Sequence, residues 1–165
     1  MSTTERFLCE AIDLACENVR KGGRPFGAVL VRDGVTVATG VNEIHTTQHP
    51  TTHAELQAIR AASRALGSPR LDGCVIYASG HPRPMCLSAM YLTGIHEVTY
   101  AYSNEDGEPF GLSTAAIYAE LAKPLAQQSL RIVYVPVRPE EGDLYQMWRD
   151  TAQTAHDDSG SGSSA

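Results

Sequence analysis

Apolar residues recur at helical spacing near the start of the chain. Phe7, Leu8, Ala11, Ile12, Leu14, Ala15 and Val19 form one stripe over residues 3–21, and Gly22-Gly23 ends it. Two short β-rich runs follow, Phe26 to Val31 and Val35 to Val41, with the hairpin signal Asp33-Gly34 between them. Asn42 to Pro50 reads as a polar loop. His53 to Leu66 predicts a second helix, opened by Pro50-Thr51-Thr52 and stopped by Gly67 and Pro69. Cys74 to Ser79 is an apolar strand, and Pro84 to Leu92 a third helix with proline in its first turn and Gly94 at its end. Val98 to Tyr102 predicts a strand, Ser113 to Leu121 a helix, Leu130 to Val135 a strand and Glu140 to Ala155 a last helix, whose spacing puts Tyr145 and Trp148 in a core. A hairpin followed by strands alternating with helices implies a mixed sheet of five strands with helices on both faces. The expected organisation is one domain over residues 1–156 and a flexible polar tail, DDSGSGSSA, over 157–165. In such sheets ligands bind where strands end and the next helices begin.

Composition narrows the function more than the fold. The balance of 42% hydrophobic and 19% charged residues suits one globular domain, and no apolar run is long enough to cross a bilayer. The first residues, with acids inside an amphipathic pattern, lack the basic start and apolar stretch of a signal peptide, which points to the cytoplasm. The net charge is −6, and lysine and arginine form no cluster. A phosphate-backbone partner needs such a cluster, so a small, weakly charged substrate fits better than nucleic acid. Of the four cysteines, Cys9, Cys16 and Cys74 are expected to pack as small hydrophobes.

Cys86 belongs to a different pattern. Two segments at helix starts carry chemistry: His53-Ala54-Glu55, and His81-Pro82-Arg83-Pro84-Met85-Cys86. His-x-Glu followed downstream by Pro-Cys-x-x-Cys is the signature of zinc deaminases. His53, Glu55, Pro82 and Cys86 match it, and Arg83 stands where the first cysteine is expected. Catalytic zinc takes three protein ligands and leaves a position for water, whose pKa it lowers to about 7. His53 and Cys86 are candidate ligands, and Glu55, two residues from His53, is the candidate group for moving that water's proton. Arginine has no lone pair to give a metal. His81 is a possible substitute ligand, although it precedes the turn that aims residue 83 inward. Arg83 has three readings: an inactivating substitution, a substrate-binding cation, or an ion-pair partner of Glu55, the last being preferred where zinc is absent.

Arg24-Pro25-Phe26-Gly27-Ala28-Val29-Leu30-Val31, Asp33-Gly34, Gly40-Val41-Asn42, Pro50-Thr51-Thr52-His53-Ala54-Glu55 and Ala58-Ile59-Arg60 together resemble the guanine deaminase and nucleoside deaminase branch of the cytidine deaminase superfamily, over roughly residues 5–135. The resemblance implies a three-layer α/β/α fold, one Zn2+ per chain, a nucleobase or nucleoside substrate and a homodimer or an assembly of dimers. It also implies that Asn42 hydrogen-bonds the base, that Phe26 packs against it, and that Pro82 lines the site. The family's acidic residue that reads guanine has no counterpart here; Ser113 and Thr114 stand near its place. The expected activity is zinc-dependent hydrolytic deamination of a guanine-like purine, weakened by Arg83. A zinc-free protein that binds a small molecule and a tRNA adenosine deaminase are the alternatives.

Overall fold

The computed structural model describes residues 1–160. Its elements run α1 (Thr3–Arg20), β1 (Gly27–Arg32), β2 (Val35–Val41), α2 (Ile44–Thr47), α3 (Ala54–Leu66), β3 (Cys74–Gly80), α4 (Pro84–Thr93), β4 (Glu97–Tyr102), α5 (Asn104–Gly107), α6 (Ala115–Leu121) and α7 (Leu144–Gly160). The chain divides into two compact units, 1–124 and 125–165.

The first unit is a sheet with helices on both faces. Strand order is β2-β1-β3-β4. β1 runs antiparallel to both β2 and β3, and β3 runs parallel to β4. Asp33 and Gly34 both take positive φ (51° and 75°), the turn that matches strand twist in a two-residue hairpin. β1 has neighbours on both sides and helices above and below, so Gly27 to Val31 are all buried. Alternation along it sorts the core. Val29 and Val31 pack with Phe7, Ala11 and Tyr77 on the α1 side; Ala28 and Leu30 pack with Ala54, Ala58, Ile76, Ala78, Cys86 and Met90 on the other. α1 begins with a capping box between Ser2 and Glu5. Gly40 faces α3 so closely that a Cβ there would strike the Ala54 carbonyl and come within 2.6 Å of the Ala58 nitrogen. Glycine on β2 thus sets how near the first turn of α3 lies to the sheet.

Several expectations need correction. The sheet has four strands, and residues 130–135 belong to none of them. Leu130, Ile132, Val133, Tyr134 and Val135 are exposed: an apolar run marks a potential strand, but pairing makes one. In the second unit, α7 starts at Leu144 rather than Glu140 and runs to Gly160; residues 161–165 lie outside the described part. Tyr145 and Trp148 are exposed, at 80% and 70%. Cys74 packs in the core as expected, whereas Cys9 and Cys16 lie on the exposed side of α1. No helix among the described residues is long and apolar enough to cross a membrane.

Candidate active site

Two strand-to-helix junctions build the site. α3 opens at His53 and α4 at Arg83, and each of these residues is an N-cap in nearly the same extended backbone, φ/ψ −76/153 and −74/157. Neither side chain caps its own helix, so both are free to point away from the first turn. Glu55 in the first turn of α3 and Cys86 in the first turn of α4 sit where helix amides favour negative charge.

The junctions bring His53, Glu55 and Cys86 together. One donor atom from each lies within 4.8 Å of the others, and all three residues are buried. Cys86 Sγ is 3.4 Å from His53 Nδ1 and 3.6 Å from Glu55 Oε2. Burial lowers the His53 pKa to about 4; the guanidiniums of Arg83 and then Arg24 add to this, and a hydrogen bond to the Pro50 carbonyl opposes it. Burial pushes the Glu55 carboxyl up, against the pull of its own amide, the Cys86 thiol and Arg83. Burial and then Glu55 push the Cys86 thiol up strongly. His53 and Cys86 are therefore uncharged at neutral pH, and burial shifts Glu55 towards its protonated form.

Arg83 turns elsewhere. Its guanidinium carbon lies 5.3 Å from the centroid of the Phe26 ring, a cation–π contact. Among the described residues, the ion pairs do not join Arg83 to Glu55, so the expected salt bridge is replaced by this contact. Phe26 is held from below by Gly80, where an added Cβ would be 3.0 Å from the ring. His81 also turns away. Its ring packs edge-on against Tyr100 and Tyr118, and its Nδ1 lies 3.0 Å from the Pro82 carbonyl and 3.4 Å from Asn104 Nδ2. It is not in the donor cluster.

The remaining expected residues form the surroundings. Asn42 is fully buried; its N–H donates to the Phe26 carbonyl, and its Oδ1 accepts from the Ile44 N–H at 3.1 Å. Buried Pro82 offers its carbonyl to the Tyr118 hydroxyl, tying α6 to the 81–83 loop. Buried Thr114, the N-cap of α6, donates its N–H to Asn104 Oδ1, and the Ser113 hydroxyl accepts from the Ala115 N–H. Sequence reasoning missed Asn18 and Asn104. Asn18 Nδ2 donates to the carbonyls of Arg24 and Asn42 and so fixes the chain on either side of Phe26. An asparagine near the end of an apolar helical stripe was the available signal. A separate groove of about 810 Å³ lies beyond Phe26 and His81, and none of the three donors lines it.

This fold gathers histidine, glutamate and cysteine at two helix starts, a donor set able to hold a metal ion. Residues 1–102 match the family model described as the cytidine and deoxycytidylate deaminase zinc-binding region, and the chain belongs to that family. Within it, the chain is 42% identical to the guanine deaminase of Bacillus subtilis over 149 residues, 90% of this chain and 95% of that protein. The crystal structure of that enzyme superposes with a TM-score of 0.80 at 41% identity, covering 88% of this chain and 93% of that one. A tRNA-specific adenosine deaminase of B. subtilis is 36% identical over 107 residues, 65% of this chain and 66% of that protein. Another solved relative, in complex with 2,6-diaminopurine, is 25% identical with a TM-score of 0.63, covering 66% of this chain and 61% of that one.

The two separations around Cys86 suit zinc. With Zn–N near 2.0–2.1 Å and Zn–S near 2.3 Å, the edge of a tetrahedral site is roughly 3.5 Å. The two donor separations around Cys86, 3.4 and 3.6 Å, fall on either side of that value.

Proposed function

We propose that this chain hydrolytically deaminates a guanine-like purine base. The observation that carries the reading is the buried cluster of His53, Glu55 and Cys86 at the two helix starts. The near full-length likeness to a guanine deaminase supports purine over pyrimidine. His53 and Cys86 would hold zinc, which supplies, when bound, an acidified water near neutral pH. Glu55 takes a proton from the attacking water and delivers it to the ring nitrogen beside the amino-bearing carbon. The C–N bond then breaks, a second proton goes to the leaving amine, and the products are the oxo base and ammonia. Burial suits Glu55 to the second half of this cycle, because it favours the protonated carboxyl.

Phe26, with Arg83 across its face, offers the base an apolar ring edge. The Asn42 side chain, held within its own turn, supplies a fixed polar edge. Ser113 and Thr114 bring hydroxyls where the purine edge would be read. Pro82 narrows the site beneath α6. The chain works as a cytoplasmic homodimer in this reading.

Ammonia release tests it, with guanine, adenine, cytosine, their nucleosides and an anticodon stem-loop offered in parallel, in zinc-containing buffer. Guanine turnover above the others is expected. Silence from every substrate, in both this chain and its Arg83→Cys variant, overturns the reading. The tRNA alternative draws on the 36% identity to a tRNA-specific deaminase, and the net charge of −6 opposes it. The zinc-free alternative draws on Arg83, which brings a guanidinium to the N-cap of α4.

A further inference from the structure

The geometry points to Glu55 as the third zinc ligand of this chain, in place of the missing thiolate at position 83. The inference rests on the deaminase reading of the same site and changes what one of its residues does.

Residue 83 cannot ligate, because a guanidinium has no free lone pair. Nor does its side chain fill the space between the donors, since it lies over Phe26. His81, the other candidate, is occupied between two tyrosine rings and beside the Pro82 carbonyl, outside the cluster. Glu55 Oε2 is already 3.6 Å from Cys86 Sγ, a spacing close to that of the His53–Cys86 pair at 3.4 Å. A nitrogen, sulfur and carboxylate oxygen set is ordinary zinc chemistry and leaves the fourth position to water. Glu55 stands in the first turn of a helix whose close seat against β2 is set by Gly40, which holds its carboxylate within 4.8 Å of the other two donors.

One carboxylate then has two duties. Oε2 goes to the metal, and only Oε1 remains for the proton. A cysteine at position 83 would separate these duties and return both oxygens to proton transfer. The ligand role and the proton role therefore respond differently to the same substitution in two backgrounds.

The test measures zinc, not turnover. The full chain, Glu55→Gln, Arg83→Cys and the double variant are stripped with a chelator and titrated with zinc against a competing indicator. Bound metal is then counted by elemental analysis. Glu55→Gln should weaken zinc at least ~10-fold in the parent and leave it within about 2-fold in the Arg83→Cys background. X-ray absorption at the zinc edge should give one sulfur ligand in the parent and two in Arg83→Cys, a readout that does not depend on the glutamine variant folding. Equal zinc affinity in the parent and Glu55→Gln overturns the inference, as does a parent that binds no zinc. Guanine turnover by Arg83→Cys is scored separately: its absence counts against the deaminase reading and leaves the ligand assignment to the metal data.

Discussion

The junction before α3 and the junction before α4 have the same backbone and different chemistry. Both follow a strand end or its loop, both place an extended N-cap residue with no capping bond, and both helices end at a glycine in the left-handed region. At the first, the N-cap is His53, which offers a ring nitrogen to the cluster. At the second it is Arg83, which lies against Phe26. The backbone that aims residue 83 survives the loss of the ligand because it is set elsewhere: by Pro84 in the first turn, by buried Cys86 and Met90, and by the Tyr118 hydroxyl on the Pro82 carbonyl. Shape and reactivity are specified by different residues at this junction, so each can change without the other.

Arg83→Cys is the strongest way to break the contrast. It should tighten zinc binding by roughly 10²-fold or more and raise guanine turnover by a similar factor, measured by competitive zinc titration and by ammonia release. If neither moves, the two junctions are not chemical equivalents. Gly40→Ala attacks the sounder junction through its seat. The added methyl meets the Ala54 carbonyl, so a loss of about 1–3 kcal/mol is expected in denaturant unfolding, with weaker zinc binding alongside.

Acidity separates the junctions on a smaller scale. In the chelated protein the His53 pKa lies at about 4, against an ordinary value of 6.5, so the unfolded chain binds the extra proton between those values. Stability should therefore fall as pH drops from about 6.5 towards 4, by on the order of 1–2 kcal/mol after allowance for solvent screening, and His53→Asn should flatten that limb. Glu55 has the opposite sign. Its raised pKa favours the folded state at low pH and costs stability as pH rises above 4.5, so Glu55→Gln should flatten the alkaline side. Thermal melts in chelator from pH 4 to 8 read both effects. The smallest expected change is Gly80→Ala, which presses on the Phe26 ring. It should shift stability by less than about 1 kcal/mol, and weaken binding of a purine analogue in calorimetry more than it lowers the melting temperature.

Much of this was legible in the residues, for identifiable reasons. The alternation of β1, the Asp33-Gly34 turn and the glycine stops after α3 and α4 are local signals with one physical solution each, and the structure follows them. His53, Glu55 and Cys86 were readable because metal chemistry restricts which residue types can stand at those spacings. The direction of Arg83 was not. Spacing fixes where a Cα sits, whereas the choice between Glu55 and Phe26 as its neighbour depends on the competition between burial and pairing at the finished site. Asn18 and Asn104 were missed for a related reason: each bonds to a segment that only the finished fold brings close, and the position of Asn18 near the end of an apolar stripe does not reveal that partner. The fifth strand failed differently. Leu130 to Val135 has the composition of a strand, but composition does not supply a neighbour.

The extended N-cap at position 83 has an evolutionary consequence. Its φ/ψ of −74/157 is open to any L-residue, so cysteine can enter there without adjusting the backbone. Where the arginine codon ends in a pyrimidine, a single-nucleotide transition converts it to a cysteine codon. With such a codon, a three-ligand cysteine-histidine site is one mutational step away, and the backbone at position 83 already accepts it. A population selected for growth on a purine as nitrogen source would have a short, fold-neutral path to it.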